Sequence, residues 1–207
     1  MKVFSRIISF VFHPLLLTTY LFSLFSVALP AGMDPIKDDG HWSFVLLIFC
    51  VTFLLPALNI GIFKTFGSIK SLAMEERQER VIPFSFISIL YCVVTYLFYS
   101  RTRVGWDDNL LKFLIIVDIL VVLATVVTFF YKISVHSMAI WGLSGILLPL
   151  NKVSEDGALF YPTIAVIALA GLVMTARLQL QVHSPREMMV GGLLGFGATF
   201  VSMTILF

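Results

Sequence analysis

An all-α bundle of six or seven membrane-spanning helices is the fold this chain predicts, and three observations carry it. Hydrophobic residues fill 59% of its 207 positions, and the mean hydropathy is +0.99. Charged residues are only 13%, where a soluble domain carries ~25%. The apolar residues also gather into seven runs, at about 7–29, 42–63, 82–100, 113–131, 137–150, 158–175 and 188–207. Most are long enough to cross the ~30 Å of hydrocarbon in a bilayer. A soluble fold of this length could not cover so much apolar surface.

Each run has its own signals. Residues 7–29 carry no Asp, Glu, Lys or Arg and exceed the 7–15-residue apolar core of a cleaved signal peptide. They read as a retained first helix, with His13-Pro14 marking a kink whose freed carbonyl is satisfied locally. Gly32, Pro35 and Gly40 mark the first loop. Gly105 with Asp107 and Asp108 marks a later turn, and Glu155, Asp156 and Gly157 another. The fifth run is short: fourteen residues rise only ~21 Å as a helix, which would sink His136 slightly below the headgroups. The last run holds Gly191 and Gly195, a small-residue face for close helix packing inside the chain or, less favoured, for a homodimer. Cys50 and Cys92 lie in apolar runs and read as small buried hydrophobes. Asp118, within the fourth run, reads as a structural acid paired with a neighbouring helix, a proton relay being the alternative. No internal repeat or long linker divides the chain, so residues 1–207 form a single domain. The net charge of +2, without basic runs, argues against a nucleic-acid partner.

Three polar clusters interrupt this pattern. The first is Met74-Glu-Glu-Arg77-Gln-Glu-Arg80-Val-Ile-Pro83, after run two. The second is Tyr131-Lys-Ile-Ser134-Val-His136-Ser137, after run four, and the third runs from Arg177 through His183 to Glu187, after run six. Two crossings separate each cluster from the next, so all three return to one membrane face and can meet in one site. Arg77 and Arg80 are i,i+3 neighbours, suited to a two-pronged clamp on an oxyanion or to ordinary interfacial charge pairing with Glu75, Glu76 and Glu79. Ser134 or Ser137 can cap the fifth helix, and His136 can be a satisfied structural histidine. His183 and Glu187 stand at i,i+4, which on a helix brings the carboxylate to one imidazole nitrogen and leaves the other free to attack. Guanidinium, imidazole and carboxylate at a membrane edge are costly, and together they suit a phosphate group.

The ordered set resembles the type 2 phosphatidic acid phosphatase superfamily of integral-membrane lipid phosphatases. Its motifs are Lys-x6-Arg-Pro, Pro-Ser-Gly-His and Ser-Arg-x5-His-x3-Asp. Here Ala176-Arg177, His183 and Glu187 keep the third spacing, with Ala for Ser and Glu for Asp. Ser134-Val135-His136 is similar to the second, with Ile133 for Pro and Val135 for Gly. Lys70 and Arg77 fit the first in spacing, with Gln78 in place of Pro; Arg80 and Pro83 give an alternative alignment. The resemblance spans Lys70 to Glu187, about half of the chain, and the family commonly has six membrane helices.

The resemblance implies metal-independent hydrolysis of a phosphate monoester or diphosphate of a lipid through a phosphohistidine, with no cofactor. His183 would be the nucleophile, Glu187 its orienting acid and His136 the general acid. Arg77, Arg80 and Arg177 would bind phosphate oxygens, with Ser134 and Lys70 assisting. The implied partners are membrane lipids and a lipid phosphate or diphosphate substrate; the implied location is a bacterial inner membrane. The alternatives are a non-catalytic lipid-phosphate binding or transport protein on the same scaffold, and a phosphotransferase. Lys and Arg number nine on the motif face and five on the other, but five of the nine sit in or beside the motifs, so the positive-inside rule leaves the orientation open.

Overall fold

The computed structural model describes residues 2–71, 74, 76–153 and 157–207, without the side chain of Val153. Glu75, in the first polar cluster, and the Glu155-Asp156 turn lie outside the described residues. The helices are α1 (Lys2–Val11), α2 (Pro14–Ala28), α3 (His41–Phe49), α4 (Leu55–Thr65), α5 (Arg77–Arg101), α6 (Asn109–Phe130), α7 (Val135–Val153), α8 (Phe160–Gln179) and α9 (Pro185–Leu206). A π-helical turn, Cys50–Leu54, joins α3 to α4 in one rod, Asp38–Thr65. Among the described residues five helices are long and apolar enough to cross a membrane, and six if α1 and α2 count as one bent span. The chain is therefore an all-helical integral membrane protein.

The first run is not one straight crossing. α1 and α2 meet at 57°, because Pro14 cannot continue the helix that precedes it. His13 caps α2 instead: its Nδ1 accepts from the Leu15 N–H at 3.3 Å. α1 shows an inside-out pattern. Ser5 and Ser9 are buried against the protein, while Val3, Phe4, Ile7 and Phe10 are each more than half exposed. Ser5 Oγ donates to Gln179 Oε1 at 2.7 Å, tying α1 to the end of α8.

The π turn also has a cause in the sequence. Pro56 lacks an N–H and collides with the carbonyl four residues back, at Thr52. The freed Thr52 carbonyl accepts from the Tyr91 hydroxyl at 3.1 Å, as a backbone group in hydrocarbon must find a partner. Across the next interface, Asp118 on α6 is hydrogen-bonded with Thr95 of α5, the inter-helix pairing expected of a structural acid.

The expected fifth run, 137–150, forms α7, two residues longer at its start and three at its end, and α7 is not among the helices that qualify as membrane spans. α2, α6, α8 and α9 pack around it, so its surroundings are protein and little lipid. Ser137 and Ser144 are buried there. α7 and α9 approach closely along glycines. A Cβ on Gly191 would stand 2.7 Å from the Ser134 carbonyl oxygen, and one on Gly195 would collide with the Met138 carbonyl. On α7, a Cβ on Gly145 would meet the Phe196 carbonyl at 2.7 Å. The glycine face is thus consumed within the chain.

Two further bonds pin the start of α7 to the first turn of α9: Ser134 N–H donates to the Glu187 carbonyl (3.2 Å) and Ser137 Oγ to the Met188 carbonyl (2.8 Å). Gly195→Ala must force the helices apart, and overpacking of this kind costs about 1–3 kcal/mol. Thermal unfolding in detergent should show a lowered Tm for Gly195→Ala, and little change for Gly197→Ala, where a Cβ meets nothing within 4 Å.

Candidate active site

A pocket lies where the three polar clusters converge, walled by Arg80, His136, Arg177 and His183 together with Arg6, Ser9 and His13 of the N-terminal segment. Residues of all three clusters do meet in one pocket, as the segment count allowed.

The centre is a histidine–carboxylate pair. Pro185 begins α9 and Ser184 caps it, its Oγ accepting from the Glu187 N–H at 3.3 Å. Ser184-Pro-Arg-Glu187 has the spacing of a capping box, in which the glutamate commonly turns back to the cap residue's own N–H. Here it reaches one residue further. His183 Nδ1 lies 2.7 Å from Glu187 Oε2. His183 therefore precedes the helix; the expected pairing within a helix is replaced by pairing across its cap. The α9 N-terminus favours the negative charge of Glu187 in its first turn. Gln181, with φ of +56°, ends α8 in a left-handed turn of the kind usually given to glycine and swings the chain into the pocket.

The pair sets the tautomer. A carboxylate only accepts, so Nδ1 carries the proton and Nε2 keeps its lone pair. The His183 side chain is 2% exposed. Burial pushes its imidazole down to about 4; Glu187 opposes the shift, and the Arg80 and Arg177 guanidiniums add to it. The ring is then neutral at physiological pH, the state a nucleophile needs.

The cations sit around it. Arg80 is buried and donates through Nε to the Met74 carbonyl (2.7 Å) and through Nη1 to the Ile133 carbonyl (3.1 Å). These bonds hold the first and second clusters together. Arg177, in the last turn of α8, forms no ion pair among the described residues, and its buried Nε has no hydrogen-bond partner there. Ser9 Oγ is likewise buried and unpartnered among the described residues. Unpaired buried donors are costly, and two of them beside two guanidiniums fit an anion with several acceptor oxygens. No carboxylate lines this pocket among the described residues; Glu187 is engaged with His183.

His136 Nε2 lies 3.1 Å from the Ser9 carbonyl. A carbonyl only accepts, so this nitrogen is protonated and aimed at α1. The His13 ring meets the His136 ring edge-on, with centroids 5.3 Å apart.

The structure does not bring every expected residue into the pocket. Arg77 donates through Nη1 to the Thr128 carbonyl at 3.4 Å and to the Phe129 carbonyl. It satisfies the open C-terminal end of α6 and is absent from the pocket wall. Lys70 is exposed and paired with Glu76 at 2.9 Å. Ser134 is fully buried as the cap of α7, its Oγ accepting from the Ser137 N–H at 3.4 Å. Arg6, Ser9 and His13 were not expected. Their signal was present: Ser5 and Ser9 stand at i,i+4, with the apolar residues of α1 on the opposite face.

Comparison with models of protein families, with curated proteins and with solved structures finds no match.

In nitrogen-detected NMR of the protein in detergent micelles, His183 should appear neutral and protonated on Nδ1 at pH 5. It should take up its second proton only well below the ordinary imidazole value, because burial and the Arg80 and Arg177 guanidiniums disfavour the charged ring. Titration near the ordinary value of ~6.5 would contradict the buried pairing.

Proposed function

We propose that the chain is an integral-membrane lipid phosphatase that hydrolyses a phosphate monoester or diphosphate of a lipid through a phosphohistidine. The observation that carries this reading is the His183–Glu187 pair at 2.7 Å opening on a pocket walled by Arg80 and Arg177. It joins an oriented, neutral imidazole to anion-binding groups in one place.

In the first step the Nε2 lone pair of His183 attacks phosphorus and the ester P–O bond breaks. Bound phosphate lets His136 hold a second proton, on Nδ1, and the leaving oxygen takes the Nε2 proton of that imidazolium, which turns from the Ser9 carbonyl. Positive charge gathered on the His183 ring is balanced by Glu187 through the Nδ1 proton. In the second step water attacks phosphorus, its proton passes to His136, and the P–N bond breaks to return His183 and release inorganic phosphate. Arg80 and Arg177 stabilise the charge spread over the non-reacting oxygens, the usual protein contribution to phosphoryl transfer. The site stands where run ends meet lipid, which favours an amphiphilic ester over a soluble one.

A second reading, a non-catalytic lipid-phosphate binder or transporter, draws on one observation: the His136 proton is spent on the Ser9 carbonyl. In that reading α1 is a fixed wall and no acid serves a leaving group.

Phosphate release from a panel of lipid phosphates and diphosphates, in detergent with EDTA present, tests the proposal. His183→Ala should abolish release. Arg80→Ala or Arg177→Ala should lower kcat by about 10²–10³. Arg77→Ala should leave kcat within about threefold and lower the Tm, since its bonds cap α6. Binding of the lipids without any release would favour the second reading.

A further inference from the structure

Behind the polar pocket lies a second, largely apolar cavity between α2, α5, α6 and α7. The two share Pro14, Leu15, Phe84, Ile87 and Val135 as common wall, so they adjoin. The first is ringed by guanidiniums and imidazoles. The second is walled by aliphatic and aromatic side chains, with Thr18, Tyr91 and Thr125 as its polar exceptions. Two of those hydroxyls are committed elsewhere: Tyr91 to the Thr52 carbonyl (3.1 Å) and Thr125 to the Phe84 and Val121 carbonyls (3.1 and 3.0 Å). A cavity so lined offers water no partners and favours an apolar occupant.

Its depth fits a particular shape. The wall runs from Val135 to Ile146 on α7 and from Pro14 to Leu21 on α2. At ~1.5 Å per residue these stretches span roughly 10–16 Å. That is about half of the ~30 Å hydrocarbon core, the depth one lipid chain occupies in its own leaflet. The cavity is a half-open cleft between four helices, so a second chain of the same lipid would have to lie outside them.

We infer that the protein holds its ligand by one hydrocarbon chain threaded into the bundle, and so selects single-chain anionic amphiphiles over two-chain ones. The headgroup sits at Arg80 and Arg177, and the chain passes the Phe84–Val135 neck into the cavity. Ala124 and Ala139 line the cavity with small side chains, so larger residues there shorten the space for the chain. The inference rests on the phosphate reading of the polar pocket for the identity of the headgroup, and it does not require turnover.

The test is equilibrium binding, in one detergent, of butyl phosphonate, dodecyl phosphonate and a didodecylglycerol phosphonate to wild type, Ala139→Phe and Ala124→Leu. Two variants on different helices keep the test alive if one fails to fold. Wild type should bind dodecyl phosphonate at least about tenfold tighter than butyl phosphonate, given the apolar area each added methylene buries. It should also prefer it about tenfold over the two-chain compound. In the variants the dodecyl-to-butyl ratio should fall about tenfold. An unchanged ratio in both variants, or equal binding of the two-chain compound, overturns the inference. Absence of binding by all three overturns it together with the phosphate reading. Selective binding without hydrolysis of the matching phosphates sustains the chain site and removes only the phosphatase reading.

Discussion

Backbone contact between α7 and α9 is the constraint on which the rest of this structure depends. Lipid gives no hydrophobic drive for helix association, so packing and hydrogen bonds must hold the bundle. Gly191 and Gly195 let the Ser134 and Met138 carbonyls approach within a side chain's width. The Ser134 and Ser137 bonds to the first turn of α9 then fix the height of one helix against the other. That register places His136, at the start of α7, beside His183, which stands just before α9. Neither histidine is placed by its own helix alone.

The charges follow from the same geometry. The pocket gathers three guanidiniums and three imidazoles at the edge of a bundle where isolated charge is costly. Arg80 is held by two backbone carbonyls, and Glu187 faces His183, so the cationic excess stays unneutralised by protein. This leaves the pocket suited to an anion. α1 closes the pocket with its serine face, offers its Phe and Ile face to lipid, and hinges at His13-Pro14. A helix so divided reads as a cover fastened by two hydrogen bonds, Ser5 to Gln179 and His136 to Ser9.

Much of this was legible in the chain. The apolar runs located the crossings to within a few residues, and the count of crossings alone put Arg80, His136, Arg177 and His183 on one face. The Arg177-x5-His183-x3-Glu187 spacing anticipated the histidine–carboxylate pair. The errors share a cause: spacing along a helix does not say which neighbour a side chain meets. Arg77 and Arg80 share a helix face, yet Arg77 meets the carbonyls ending α6 and only Arg80 meets the pocket. Lys70 fits a motif spacing and faces solvent beside Glu76. Pro14 was read as a kink, which the 57° bend bears out, but its angle, which makes α1 a wall of the pocket, was not legible. That hid Arg6, Ser9 and His13. The Ser184-Pro185 start of α9 is a sequence signal that would have set His183 outside the helix.

The covalent step is the most exposed part of the account. A radiolabelled lipid phosphate, mixed with enzyme and quenched in alkali within a turnover, should leave label on the protein, since a P–N bond survives alkali and is lost in acid. Peptide mapping should place that label on His183, with Glu187→Gln lowering its yield. Rapid release of phosphate with no protein-bound label, or label confined to another residue, would contradict nucleophilic attack by His183.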